Sequence, residues 1–390
     1  MTTRARGSPR VYDAIVVGVG GMGSAACYHL ARRGLHTLGL ERFDIPHSMG
    51  SSHGITRIIR LAYYEHPSYV PLLLRAFELW DELERESGRH LLEVTGTIDA
   101  SGPEEMVFTG ALASCEEFGL AHEVLTSADL TARYPGYALP TDHLALFQPR
   151  GGFLLSERCI SAHVEGALAA GADIGARERV LDWEPVGDGV RVSTDRGVYE
   201  AGKLVLATGA WMASLVPALA GLAEPERQVL GWFAPVEPAL FTPERFPVFN
   251  LMVPEGRYYG FPQHDVPGFK IGLYHHLQER VDPDDFQREA SAVDEAPLRE
   301  AVARYFPAAN GPTMALRTCM FTNTPDEHFI LDVLPEYPQV VVASPCSGHG
   351  FKFASVIGEI LADLTQRGET RHDIELLRLS RFTEKPIAAS

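Results

Sequence analysis

The chain has 390 residues, 45% of them hydrophobic and 22% charged, with a formal net charge of −17. This length carries two domains with cores of their own, the composition excludes a disordered chain, and the acidic balance argues against nucleic acid as a partner, because backbone binding needs a positive surface. No unbroken apolar stretch reaches the roughly 18–20 residues that cross a bilayer, and five cysteines at wide spacings, without a Cys-x-x-Cys pair, suit a reducing cytosol and neither a disulfide framework nor a zinc site.

Residues 1–10 hold three arginines with no apolar segment behind them, so they read as a frayed basic tail rather than a signal peptide, and Ala388-Ala-Ser390 matches no targeting address. Tyr12-Asp-Ala-Ile-Val-Val17 is an apolar, β-branched run of the kind that a parallel strand buries on both faces. It leads into Gly18-Val-Gly20-Gly-Met-Gly23, after which residues 24–33 space Ala25, Ala26, Leu30 and Ala31 as a helix does. Gly18 permits a tight turn, Gly20 lets the backbone approach a pyrophosphate, and Gly23 lets helix and strand pack closely, while the helix N-terminus offers N–H groups to the phosphates. Residues 38–40 read as a second strand ending at Glu41, a carboxylate placed to accept from a ribose hydroxyl and to repel a 2′-phosphate. A dinucleotide is therefore expected, FAD or NAD in preference to NADP. The fuller pattern through Cys27, Leu30, Gly34 and Thr37 resembles the start of FAD-dependent oxidoreductases and leans toward FAD.

Residues 46–60, dense in glycine, serine and histidine, suit a loop around a polar ligand, followed by a surface helix over 70–86. A strand is expected at 92–98, helices at 104–119 and 128–134, and loops at Pro135-Gly-Tyr and Pro140-Thr-Asp. Gly151-Gly-Phe opens a new unit, with a helix over 156–170 and short strands at 178–183, 190–193 and 198–201. Residues 203–211 then repeat the theme of a buried strand ending in glycine, a place where dinucleotide crevices are lined. Alternation through Val229, Gly231 and Phe233, and again over 258–261, predicts a mixed sheet across 228–273. A helix at 296–306, a buried strand around 340–343 and a final helix at about 352–367 complete the reading.

Three stretches carry more information than composition: Ser52-His-Gly-Ile-Thr-Arg-Ile-Ile-Arg60, Cys319-Met-Phe-Thr-Asn-Thr-Pro-Asp-Glu-His-Phe-Ile330 and Ser347-Gly-His-Gly-Phe-Lys352. With the nucleotide motif they resemble the monomeric sarcosine oxidase family, which includes N-methyltryptophan oxidase and the pipecolate oxidases, over nearly the whole chain. The resemblance implies an α/β fold in which a Rossmann-like FAD-binding domain (1–90, 151–215 and 320–390) is interleaved with an α+β substrate domain on a mixed β-sheet (91–150 and 216–319). It implies a cytoplasmic monomer that oxidises a secondary amino acid with FAD and O₂ to an imine and H₂O₂, the imine then hydrolysing.

Matched residue by residue, the resemblance implies that Cys319 is bonded to the flavin and that Cys346 is a packed thiol. Gly18, Gly20, Gly23, Glu41, Arg42, Ser52, His53, Thr56, Gly348, Gly350 and Lys352 are implied as further cofactor contacts, and the final helix as a positive end aimed at the ring. Arg60 and Lys352 are implied as the clamp for the substrate carboxylate, chemistry that suits a planar guanidinium and a point charge. Arg57 and Lys270 are implied beside the flavin, with Lys270 serving O₂ reduction through its charge and a water held beside the ring. Tyr259 and a histidine after Lys270, either His275 or His276, with His275 preferred, are implied at the amine end. Phe321 stands where a tyrosine is frequent, and together with one extra residue between Lys270 and His275 it points to a cyclic or larger N-methyl substrate rather than sarcosine. The substrate ammonium must lose a proton before oxidation, and the four cations Arg57, Arg60, Lys270 and Lys352 are expected to lower its pKa without a carboxylate base. Two rivals stay open at this level: an amino-acid dehydrogenase using FAD or NAD without O₂, and a non-catalytic dinucleotide-binding module.

Overall fold

A computed structural model describes residues 10–382 of the chain. The tail over residues 1–9 and the terminal Ala388–Ser390 lie outside the described residues. Two compact units are built from alternating segments: residues 10–52, 160–223 and 324–382 form the first, and residues 53–159 with 224–323 the second.

In the first unit, Ala14, Ile15 and Val16 are fully buried, as expected of a strand with parallel neighbours on both sides and cover on both faces. Arg10–Val17 pairs in parallel with Thr37–Leu40 on one side and with Val198–Leu206 on the other. Asp173–Gly175 extends the sheet beyond Thr37–Leu40, and Tyr337–Ser344 also joins Val198–Leu206 in parallel. A hairpin of Val180–Val186 and Gly189–Thr194 adds antiparallel strands. The strand expected at 198–201 and the one opening at 203 are a single strand running through Gly202. Helices Gly21–Arg32 and Ala354–Arg367 pack so closely that a Cβ on Gly358 would lie 2.6 Å from Ala25.

The second unit holds an eight-stranded sheet in the order Thr313–Asn323, Glu224–Phe233, Phe269–Leu273, Gly256–Phe261, Val248–Val253, Thr97–Ser101, Leu144–Gln148, Glu123–Thr126. Side chains alternate between its two faces, and residues paired across the ladder share one. Val229, Phe233, Ile271, Tyr258, Phe249 and Ile98 fall on a face buried against Phe241, Phe246, Phe306, Tyr137 and the helix residues Leu298 and Val302. The opposite face is polar. On it stand Gln228 opposite Cys319, Glu226 opposite Phe321, Trp232 opposite Lys270, and Asn250 between Tyr259 and Asp99.

Residues 53–90, assigned to the first domain from sequence, belong to this second unit. Thr56–Ile59, read as loop, is a strand paired antiparallel with Gly152–Leu155; its glycine- and serine-rich approach masks the β-branched run. The strand expected at 92–98 is two, Leu92–Val94 and Thr97–Ser101, in different sheets, because Gly96 turns the chain at φ +74°. The helix expected at 296 begins at Ala292, five residues ahead of Pro297, a residue that favours a first turn, because Ser291 and Asp294 form a capping box. Among the described residues no helix is long and apolar enough to cross a membrane.

Candidate functional site

The first unit presents a cleft at the carboxyl ends of its parallel strands, lined by Gly18, Gly20, Glu41, Arg42, Ser52 and Thr208 among others. Two glycines are required sterically. A Cβ on Gly18, at φ +86°, would lie 2.6 Å from the Ala207 oxygen, and one on Gly23 would lie 1.7 Å from the Gly18 oxygen. Gly20 has nothing closer than Ser52 Oγ at 3.9 Å, so its face stays open for a ligand. Ser52 Oγ accepts from Gly21 N–H at 3.3 Å, tying residues 46–52 to the helix start.

Glu41 is buried and accepts from the N–H groups of Val19 at 2.9 Å and Phe43 at 3.0 Å. Burial works against its charge, but His47 and those two N–H groups outweigh it and hold the carboxyl below its usual range. A carboxylate offers about four acceptor positions, so capacity remains for a ribose hydroxyl. Arg42 lies 5.1 Å from the ring centre of Phe43 and 5.4 Å from that of Trp211, an aromatic cluster that no spacing rule had picked out. Cys346, expected as a packed thiol, is only half-buried and lines the cleft. Gly350 closes the turn before the final helix, where a Cβ would strike the Pro345 oxygen, and Gly348 stands at φ +76°. Lys352 is buried and donates to the His349 oxygen at 2.7 Å. This cradle of close backbone, an open glycine, a helix N-terminus and a buried acid fits the ADP portion of FAD.

The second unit gathers the other expected residues on its polar face and on the strand beside it. Cys319 is set apart from the other buried thiols. Burial pushes Cys27 and Cys115 up to about 12 and Cys159 well above its usual value. Burial acts on Cys319 too, but His53 and then Arg57, whose Nη2 lies 3.7 Å from the sulfur, bring it down to about 7. Lys270 is 2% exposed and donates to Gly54 O at 2.7 Å and to Thr56 O and Thr56 Oγ1, both at 2.9 Å. Burial, and after it Arg57, push its pKa well below the usual lysine value. Two carbonyl oxygens and one hydroxyl thus surround Nζ and fix its position. Tyr259 lies across Gly272, where a Cβ would stand 2.5 Å from its ring; glycine at 272 makes room for that ring.

Arg60 is 2% exposed and already holds a carboxylate: Nη2 donates to both Glu65 oxygens at 2.8 and 2.6 Å, and Asp99 lies 3.9 Å from Nε. Burial disfavours its charge, and Glu65 with Asp99 more than compensates. Between the two histidines the placement is unequal. His276 is sealed against Asp294 at 3.2 Å, beside the buried Arg227–Asp294 pair. His275 is partly exposed, with its ring 6.3 Å from Phe321 and 5.0 Å from Tyr274. The extra residue before it is taken up in a turn where His275 and His276 have φ of +61° and +23°.

The basic groups of this unit have acids beside them: Glu65 and Asp99 face Arg60, Glu157 acts on Arg57 and Lys270, and Glu226 faces His275. These four acids come from strands, turns and a helix start far apart in sequence and form no motif. Only the sheet register signals Glu226 and Asp99, through their cross-strand partners.

Residues 13–364 match the model of a family described as FAD dependent oxidoreductase. The chain is 43% identical over 383 residues to monomeric sarcosine oxidase from Bacillus sp. (strain NS-129), covering 97% of this chain and 98% of that protein. It is 36% identical over 373 residues to N-methyl-L-tryptophan oxidase from Escherichia coli O81 (strain ED1a), covering 95% and 99%. Among solved structures, the open form of NikD, an amino acid oxidase essential for nikkomycin biosynthesis, superposes with a TM-score of 0.82 at 27% identity, covering 95% of this chain and 97% of that one. L-Proline dehydrogenase from P. horikoshii shares the fold with a TM-score of 0.83 at 20% identity, covering 97% and 99%. The chain belongs to the FAD-dependent oxidoreductase family, alongside the monomeric sarcosine oxidases and N-methyl-L-tryptophan oxidases.

Proposed function

We propose that this chain is a flavin-dependent oxidase of secondary amino acids that carries its FAD covalently on Cys319 and uses O₂ as electron acceptor. The observation that carries the reading is the contrast among the buried thiols: Cys319 is held near 7 beside His53 and Arg57, while Cys27 and Cys115 are pushed to about 12. A thiolate is the form that bonds to an electrophilic carbon, and Cys319 shares its face with Lys270 and Tyr259.

A bound FAD supplies the acceptor for the hydride equivalent and the route of the electrons to O₂. The chain supplies binding, orientation and charge. Gly18, Gly20, Gly23, Glu41, Arg42 and Ser52 are assigned to the nucleotide end, and His53, Thr56, Gly348 and Gly350 to the remainder of the cofactor. Arg60 is assigned to the substrate carboxylate, which must displace Glu65 to reach the guanidinium; the assignment of Lys352 to the same anion rests on its sequence motif alone. Lys270, held by three oxygens, is assigned to oxygen, since a preplaced cation stabilises an anion forming in a dry site. Arg57 supports that charge pattern, and Tyr259, His275 and Phe321 surround the amine end. Phe321 where a tyrosine is frequent, and the extra residue between Lys270 and His275, are the basis for a substrate larger than sarcosine, a cyclic or bulkier N-methyl amino acid. We place the enzyme as a cytoplasmic monomer on its family and on its cysteine spacing.

Acid precipitation tests the linkage: the yellow colour should stay with the protein and leave it in Cys319→Ser. A colourless wild-type pellet would overturn the assignment. A peroxide-coupled panel of sarcosine, N-methyl-L-tryptophan, L-proline and L-pipecolate tests the substrate class, and a clear lead for sarcosine removes the larger-substrate reading.

A further inference from the structure

Glu226 stands on the polar face of the second unit, opposite Phe321 across the ladder, and is 8% exposed. Its Oε1 accepts from Gln228 Nε2, its Oε2 accepts from Asn323 Nδ2 at 3.0 Å, and the two oxygens lie 3.1 and 3.2 Å from His275 Nδ1. Gln228 is itself paired with Cys319, and Asn323 ends the strand that carries Cys319. We infer that Glu226 is a positioning residue that fixes the orientation and tautomer of His275, making Nε2 the proton-accepting nitrogen at the amine end of the site. The inference rests on the assignment of His275 made above.

Carboxylate oxygens only accept, so the imidazole nitrogen between them carries the hydrogen, and in the neutral ring Nε2 is then the acceptor. Gln228 and Asn323 hold the carboxylate from two strands, so the acid cannot swing away from the ring without leaving both amides unsatisfied. Such a hold matters here because His275 sits in a left-handed turn, at φ +61°, outside the ladder that orients Tyr259 and Lys270. His276 cannot replace it, since Asp294 engages that ring. The step served is loss of the substrate ammonium proton: the N–H bond breaks, the proton goes to Nε2, and the electron pair stays on the substrate nitrogen. No oxidant or reductant takes part.

Glu226→Gln, His275→Ala and the double variant are compared for kcat and KM by peroxide release, using the member of the four-substrate panel that the wild type turns over fastest. Glu226→Gln should lower kcat/KM on the order of tenfold, the scale at which an outer partner of a functional imidazole matters, and should add nothing once His275 is absent. Equal losses in both backgrounds, or none in either, overturn the inference and leave the role of His275 standing. A His275→Ala enzyme with full kcat/KM sinks that role, and the inference with it. Glu226→Asp, which keeps the charge but shortens the reach by one methylene, runs through the same cycle with the same expected outcomes if Glu226→Gln is not recovered folded.

Discussion

In the first unit the ligand site is made largely of backbone, with strand ends, glycines and a helix start contributed by short contiguous stretches. In the second it is made of side chains, each delivered by a different strand and aligned by cross-strand register. A backbone site fails when atoms are added to it, because nothing can move aside; a side-chain site fails when charges are removed, because its members satisfy one another.

The largest effect is expected at Gly23. Gly23→Val places its first carbon 1.7 Å from the Gly18 oxygen, and the protein should purify without flavin, read from the visible absorbance per mole of protein. Retention of a full complement would show that the turn can yield and that the backbone description is wrong.

Next is the buried pair of Arg227 and Asp294, joined at 2.5 and 3.1 Å next to His276. Breaking a buried pair costs about 3–5 kcal/mol, so Asp294→Asn should lower urea stability on that scale while leaving kcat of the folded enzyme within about twofold, within the ordinary context scatter of such effects. Burial opposes the charge of Asp294, but Arg227 and Ser291 hold its carboxyl well below its usual range. Its contribution is therefore present above the ordinary carboxylate pKa of about 4 and lost as pH falls below it, so the gap between wild type and variant should narrow in acid. A gap independent of pH would remove the ion pair as its cause.

A smaller change is expected at Glu65, which occupies the guanidinium that the substrate carboxylate needs. Glu65→Gln should tighten binding of a simple carboxylate inhibitor on the order of tenfold, about the worth of one charge-assisted hydrogen bond. Weaker binding would mean that Glu65 shapes the anion site rather than competing for it.

The finest test concerns the thiol. In flavin-free protein, alkylation of Cys319 should rise with pH around a midpoint near 7. Arg57→Met should move that midpoint up, toward the ordinary thiol value of about 8.5. An unmoved midpoint would leave His53 as the group that activates the sulfur.

The nucleotide half was legible in the sequence because its physics is local. Gly18, Gly20, Gly23 and Glu41 act through turn geometry and strand ends that a few neighbouring residues determine; Gly18, Gly20 and Glu41 line one cleft, and Gly23 packs on the turn at Gly18. Trp211 escaped notice because it reaches Arg42 and Phe43 across many residues of chain. In the second unit the residues Arg57, Lys270 and Cys319 stood out through motifs, but their partners did not. Glu65, Asp99, Glu157 and Glu226 look like ordinary surface acids in the sequence, and Thr56–Ile59 looks like loop.

By itself, then, the sequence determined the dinucleotide turn, the alternation that makes one face of the second sheet apolar and the other polar, and the set of cations available for chemistry. The fold fixed the charge balance: which acid faces which base, that Lys270 is held by three oxygens of its own chain, that His275 and not His276 keeps a partly exposed ring, and that Cys319 is the acidic thiol. The reason is the range of the forces. Backbone turns and hydrophobic periodicity are set by residues a few positions apart, whereas desolvation and ion pairing depend on what the folded chain brings within a few ångströms, from near or far in sequence.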